Sequence, residues 1–316
     1  MKKVIKYQRI FAYVLCAAFA LAVLTGCDKP TTTATTPQGE DNTEQTIPVE
    51  QQIENCFSNS DRDASYDSVT ATVVLSDGGH SVQGEGVTAE ENRIHITAAG
   101  TYLFSGSCSD GQIVIDAGKE DKVRVVFNAV DLCNTTDAAM IVNSADKVTL
   151  TLAEHTINRL SDGNTTASPS TRAEGANACL YSREDLVING AGSLTVEGNF
   201  NNGITSKDDL RIVSGTIQVS ARNNGIKGKD CVSVLDANIT VNSDDDGIKS
   251  DNDTDAGRGV VSIFGGTIHI TCGDDGIQAY NSVQITGGTV VISAGGNQVK
   301  TETGENIYVA EGCLSR

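Results

Sequence analysis

From about residue 65 onward, apolar residues alternate with polar ones in short runs, and Gly, Asn and Asp separate the runs. Alternation at period two marks half-buried β-strands, and almost no stretch keeps the helical period. In the C-terminal half the pattern repeats itself. Asn201-Asn202-Gly203-Ile204 recurs as Asn223-Asn224-Gly225-Ile226, then Asp245-Asp246-Gly247-Ile248, then Asp274-Asp275-Gly276-Ile277, with glycine steps of 22, 22 and 29 residues. A degenerate copy, Gly296-Asn297-Gln298-Val299, follows after another 22. Apolar columns keep the same clock once a seven-residue insert is placed within 251–259. Leu210, Val232, Val261 and Val283 form one, and Ile212, Val234, Ile263 and Ile285 the next. Ile217, Ile239, Ile268 and Val290 form a third, and Val219, Val241, Ile270 and Ile292 a fourth.

A unit this small cannot bury its own apolar face and must stack on its neighbours. Short strands joined by tight turns then coil into a solenoid whose equivalent side chains lie about 4.8 Å apart along the axis. The expected fold is all-β, a right-handed parallel β-helix with rungs of about 22 residues, the hand following from the usual crossover rule. Residues 65–200 carry looser versions of the pattern, such as Gln112-Ile113-Val114-Ile115-Asp116 and Val148-Thr149-Leu150-Thr151-Leu152. A polar loop from Asp162 to Asn177, with Pro169, interrupts them.

The first 64 residues read differently. Lys2, Lys3, Lys6 and Arg9 precede an apolar run from Ile10 to Val23, and Leu24-Thr25-Gly26-Cys27 stands where a signal peptide is cut. The run is short for a membrane span. The small pair before a cysteine resembles a bacterial lipobox, which implies acylation of Cys27 and removal of residues 1–26. The expected location is the extracellular face of a bacterial membrane, with the lipid as the only attachment. Residues 27–64, rich in Thr and holding Pro30, Pro37 and Pro48, predict a disordered tether. The folded body is expected over 65–316, as a monomer.

The chain has 23 Lys plus Arg against 41 Asp plus Glu, a formal charge of −18. Loss of residues 1–26 removes four positive charges and no acid, which leaves −22. Such a balance argues against nucleic acid as a partner, since a phosphate backbone demands a basic face. Seven cysteines remain after Cys16 and Cys27, with no C-x-x-C pair, and the four histidines are scattered. That spacing does not suit zinc and predicts small buried residues instead.

Residues 198–301 contain twelve aspartates and no glutamate. Turn chemistry favours Asp, which tolerates left-handed geometry and bonds its own turn. Calcium also favours it, because that ion takes six to eight hard oxygens. Turns alone would be served by Asn at every level, as at 201–202 and 223–224. Instead two adjacent rungs stack Asp245-Asp246 on Asp274-Asp275, where mutual repulsion at a strand spacing reaches several kcal/mol unless a cation removes it. Asp244, Asp251, Asp253 and Asp255 fall near the same level, and Asp208 and Asp230 form a column at the next corner. All ten are candidate calcium ligands. Lys227, Lys249 and Lys300 share a column beside the acids. They would either neutralise the aspartates or meet sugar carboxylates, and Tyr280 is a candidate stacking platform, as is Tyr181.

The series KDDLRIVSGTIQVS, NNGIKGKD, DDDGIKSDNDTDAGRG and GGTIHITCGDDGIQA resembles a clostridial-type family of cell-surface carbohydrate-binding β-helix proteins. GTYLFSGSCSDGQIVIDAGKEDKVRVVFNAVDL and SREDLVINGAGSLTVEGNFNNGI resemble the upstream half of that family. The resemblance implies a calcium-binding β-helix similar to family-nine polysaccharide lyases, with plant cell-wall glycans, pectin-like chains and cellulose, as ligands. It places Asp245, Asp246, Asp274 and Asp275 in the family's acidic turns, and Asp208 and Asp230 at its KDD and GKD positions. Asn223-Asn224 departs from the acidic pair common there. The function expected is calcium-dependent polysaccharide binding. The alternatives are a structural adhesin and a calcium-dependent lyase, for which Lys249 would be the base.

Overall fold

A computed structural model describes residues 47–163 and 175–315. The signal segment, Cys27, the first part of the tether and most of the 162–177 loop with Pro169 lie outside the described residues.

Two antiparallel hairpins open the fold, Ala71–Leu75 with Ser81–Gly84 and Val87–Glu90 with Arg93–Ile96. Every other described pairing is parallel. Successive turns of chain each lay one strand on a narrow ten-stranded sheet and two on an eighteen-stranded sheet, so that three stacks wind about one axis as a parallel β-helix. One such turn comprises Asn202–Ser206, Asp209–Ile212 and Thr216–Ala221, and the next Ile226–Gly228, Cys231–Val234 and Asn238–Ser243. Then come Ile248–Ser250, Val260–Ile263 and Thr267–Cys272, followed by Ile277–Ala279, Ser282–Ile285 and Thr289–Ala294. We call these the narrow, middle and third stacks.

The expected columns are the observed registers. Leu210, Val232, Val261 and Val283 pair in succession in the middle stack. Ile217, Ile239, Ile268 and Val290 do so in the third. All eight are buried in one continuous core. At about 1.5–3 kcal/mol for each fully buried aliphatic side chain, this column-on-column contact holds the rungs together. The insert occupies 251–259, between the strands Ile248–Ser250 and Val260–Ile263, as its place in the alignment required.

Glycine serves two corners for two reasons. Gly266, at the bend between middle and third stacks, has φ +87°, a conformation open mainly to glycine. Gly247 has no such φ; a Cβ there would lie 2.4 Å from Ile270 Cγ2 and 2.5 Å from the Gly276 carbonyl. The 22-residue glycine clock is therefore a packing column, in which each rung's backbone approaches the next too closely for any side chain.

The tether ends earlier than the sequence pattern predicts. Residues 49–62 fold, against the expectation of disorder through 64: Val49–Cys56 and Asn59–Arg62 are helical. Ser58 and Asp61 form a reciprocal capping box, with Asp61 N donating to Ser58 Oγ at 3.2 Å and Ser58 N to Asp61 Oδ2 at 2.9 Å. Between the helices Phe57 is buried against Val187, Val213 and Phe264, its ring meeting Phe264 edge-on at 6.1 Å. The buried Asp61 carboxylate pairs with Lys147, and Asn189 Nδ2 donates to the Asp61 carbonyl at 2.8 Å. One aromatic anchor and one buried ion pair thus strap this segment to the outside of the middle stack.

The cysteines match their expected role. Of the seven described, Cys108, Cys179, Cys272 and Cys313 are buried and Cys56, Cys133 and Cys231 half-buried.

Candidate functional site

The acidic repeat sits where each third-stack strand ends and the chain turns into the narrow stack. The turn splits each pair. Its first residue stays at the surface and its second is drawn inside: Asp246 and Asp275 are buried, whereas Asp245 is half-buried and Asp274 exposed. The inner residues form a ladder along the axis. Asn224 N and Nδ2 donate to Asn202 Oδ1, both at 3.1 Å. Asp275 N donates to Asp246 Oδ1 at 3.0 Å, and Asn297 N and Nδ2 donate to Asp275 Oδ1 at 2.8 Å.

The remaining oxygens of the inner aspartates belong to lysines on the narrow stack. Lys249 Nζ donates to Asp246 Oδ2 at 2.6 Å, and Lys300 Nζ lies 3.1 Å from Asp275 Oδ2. Burial alone would raise Asp275, but the Asn297 hydrogen bonds and Lys300 outweigh it and hold the carboxyl below its usual range. Lys227 pairs with Asp251 at 2.5 Å. Each of the three lysines therefore neutralises an aspartate, the first of the two roles their column allowed. Lys249 is engaged in an ion pair, so it is not poised as a free base.

The outer residues differ. Among the described residues neither Asp245 nor Asp274 has an ion-pair partner. One oxygen each from Asp245, Asp246 and Asp274 lie within 4.8 Å of one another. Burial and the charges of Asp246 and Asp274 raise the Asp245 carboxyl above its usual range, with Lys249 opposing them. One rung away in the inner column, Asn224 Oδ1 is buried without a hydrogen-bond partner. Three convergent carboxylates and an unpaired amide oxygen are hard donors of the kind calcium takes, with water and carbonyls to complete six to eight positions. The residues present fit that ion.

The other predicted ligands are arranged otherwise. Asp208 and Asp230 do not join the acidic corner; they border a second cluster with Asp185 and Asp209 that holds arginines. Arg258, from the insert, places Nη1 2.9 Å from Asp209 Oδ1, 3.1 Å from Asp230 Oδ2 and 3.9 Å from Asp208 Oδ1. Arg211 reaches Asp185 at 2.9 Å and also pairs with Asp209. One oxygen each from Asp185, Asp208 and Asp209 lie within 4.8 Å of one another, so this cluster too offers convergent carboxylates, here with arginines already beside them, and the insert is pinned back across the upstream rungs. Asp255 accepts from Asn252 Nδ2 at 2.9 Å, while Asp244 and Asp253 are exposed and belong to neither cluster. Tyr181 is buried and offers no open ring face, whereas Tyr280 is half-buried beside Gly259. Sequence reasoning missed Asp185, Asp209, Arg211 and Arg258 as a unit; the lone arginine in an otherwise acidic insert was the available signal.

Asp208 carries a testable consequence. Burial, with the charges of Asp185, Asp209 and Asp230, pushes its carboxyl up to about 7. An unfolded aspartate titrates near 3.9, so between about pH 4 and pH 7 the unfolded chain releases this proton first and stability falls as pH rises. A shift of that size corresponds to roughly 4 kcal/mol, but the side chain is 42% exposed and water screens most of it. Asp208→Asn should therefore gain about 1 kcal/mol over the wild type at pH 8 and nothing at pH 3, read from urea unfolding. An equal gain at both values would contradict the assignment.

Together the fold and the site define a β-helix solenoid with clusters of carboxylates at its corners. The chain belongs to the carbohydrate-binding domain-containing protein family, whose model matches residues 90–316. A curated member from Acetivibrio thermocellus is 42% identical over 137 residues, which is 43% of this chain and 48% of that protein, so the chain spans about half the length of the relative it matches. A solved structure of a polysaccharide lyase-like protein from C. thermocellum, a gadolinium derivative, superposes with a TM-score of 0.75 at 40% identity, covering 78% of this chain and 99% of the other.

Proposed function

We propose that this protein is a surface lipoprotein that binds plant cell-wall polysaccharide, uronate-bearing chains above all, through calcium held at the Asp245–Asp246–Asp274 corner. The observation that carries the reading is the unpaired outer column, Asp245 and Asp274, beside an inner column that lysines already neutralise. Those two carboxylates, with one oxygen of Asp246, would hold the ion. Bound there, calcium would present positive charge and open coordination positions to a sugar carboxylate.

The narrow stack supports the same ligand. Its strands Ile226–Gly228, Ile248–Ser250 and Ile277–Ala279 are three residues long, about 10 Å. On the rungs upstream of the acidic corner, Lys207 follows the strand Asn202–Ser206 and Lys229 follows Ile226–Gly228, with Lys227 on the latter strand itself. Partial desolvation and the ammonium of Lys227 hold Lys207 below the usual lysine range, Asp251 opposing them. A polyuronate running along the axis over this stack would meet these ammonium groups on the upstream rungs and the metal corner on the next two. Acylation at Cys27 would keep the body at the outer membrane face, and a monomer suffices for it.

Polygalacturonate affinity electrophoresis tests the reading. Retardation with calcium and release with EGTA are expected. Retardation that survives EGTA would remove the metal from the account.

A further inference from the structure

The longer helix of the N-terminal strap, Val49–Cys56, ends on a cysteine. Cys56 packs with Phe57, Val187, Val213, Leu235 and Phe264 on the outside of the middle stack. There the strand Cys231–Val234 alternates, with Val232 and Val234 in the core and Cys231 and Ser233 turned the other way, toward the strap. Ser233 is only 2% exposed although it faces away from the core.

One hydroxyl joins two thiols at this contact. Ser233 Oγ donates to Cys231 Sγ at 3.8 Å, along its own strand. The Cys56 side chain hydrogen-bonds to the same Ser233 side chain from the strap. Both sulfurs also feel Asp209 and Arg211, which pair with Cys231 and Ser233 in the preceding rung. Two residues 175 positions apart in sequence thus bring their sulfurs around one oxygen. Cys231 is fixed by the ladder, whereas Cys56 ends a short helix that Phe57 and one ion pair hold down, so the strap is the side that moves.

We propose that Cys56 and Cys231 form a disulfide that latches the N-terminal strap to the solenoid, the dithiol pair being the unlatched form. The oxidant is the disulfide of a small thiol such as glutathione. Cys56 thiolate attacks that disulfide and expels one thiolate, and Cys231 thiolate then attacks the Cys56 sulfur and expels the second. One sulfur–sulfur bond is broken and one made. The two cysteines are oxidised, the small disulfide is reduced to two thiols, and these take up the two cysteine protons. Burial raises both thiols above their usual range. Exchange therefore proceeds through local openings of the strap, and the bond, once made, suppresses those openings. The latch rests neither on polysaccharide binding nor on calcium.

Peptide mapping of the full chain tests it. After incubation with oxidised glutathione, blocking of the remaining thiols and digestion without reductant, mass spectrometry should find a peptide pair joined through Cys56 and Cys231, and dithiothreitol should abolish it. Amide exchange supplies the second readout, in the Phe57→Ala variant, whose strap opens readily. Exchange over 49–62 should be at least tenfold slower in the oxidised variant than in the same variant with dithiothreitol, and Cys231→Ser should erase that difference. The core strands should exchange alike in all samples. Recovery of Cys56 as a thiol or as a mixed disulfide with glutathione overturns the proposal, as does its bonding to any other cysteine. A Cys56–Cys231 bond that leaves exchange over 49–62 unchanged overturns the latch.

Discussion

Gly247→Ala should lower the stability of the protein by about 3 kcal/mol, although it adds a single methyl group. The added carbon would stand 2.4 Å from Ile270 Cγ2, in the turn of chain that Gly247 opens, and 2.5 Å from the Gly276 carbonyl in the following rung. A rotated isoleucine relieves the first contact. The second involves backbone, and relieving it spreads the rungs where Ile248 N donates to the Gly276 carbonyl at 2.9 Å. Overpacking of a dense core costs typically 1–3 kcal/mol, and backbone on one side of the clash puts this site at the upper end. Gly78→Ala is the control, since its nearest neighbour would be Ser76 Oγ at 3.7 Å. Urea midpoints should separate the two variants clearly. A Gly247→Ala protein within 0.5 kcal/mol of the wild type would mean that rung spacing is not limited at this column.

Phe57→Ala should release the N-terminal strap without unfolding the solenoid. Phe57 is 1% exposed, and truncation of a buried phenylalanine costs about 3–5 kcal/mol. The strap lies outside the β-helix, and each rung is stabilised by its neighbours, so the loss falls on a local opening and not on the whole fold. At about 1.4 kcal/mol per factor of ten, amide exchange over 49–62 should accelerate at least a hundredfold while the core strands keep their protection. Unchanged exchange there would show that the Asp61–Lys147 pair and the Asn189 hydrogen bonds hold the strap by themselves.

The solenoid was legible because repetition is a strong signal. Four columns of Ile, Val and Leu in step left one arrangement that buries them all, and the insert had only one place to go. The strap was not legible by the same means, because a single phenylalanine between two short helices has no period. Its capping box, Ser58 with Asp61, was a local signal set against a composition that reads as tether. The acidic corners were legible as positions but not as roles. Nothing in Asp245-Asp246 or Asp274-Asp275 says which carboxylate turns inward. That depends on the corner geometry, which seals the second residue of each pair beneath the next rung and brings lysines to it. Likewise Asp208 and Asp230 stack as the spacing required, yet Arg258 reaches them across a gap that no repeat encodes.

The central claim is that the outer aspartates hold calcium. Its most direct test is the thermal midpoint, with calcium and with EGTA, of the wild type and of Asp245→Asn combined with Asp274→Asn. Without calcium the variant should be at least as stable as the wild type, because it removes unpaired, mutually repelling charges. With free calcium near a hundredfold over its dissociation constant, the wild type should gain about 2.7 kcal/mol and a higher midpoint, and the variant should gain none. A variant that keeps the full calcium-induced rise would contradict the account and place the ion elsewhere.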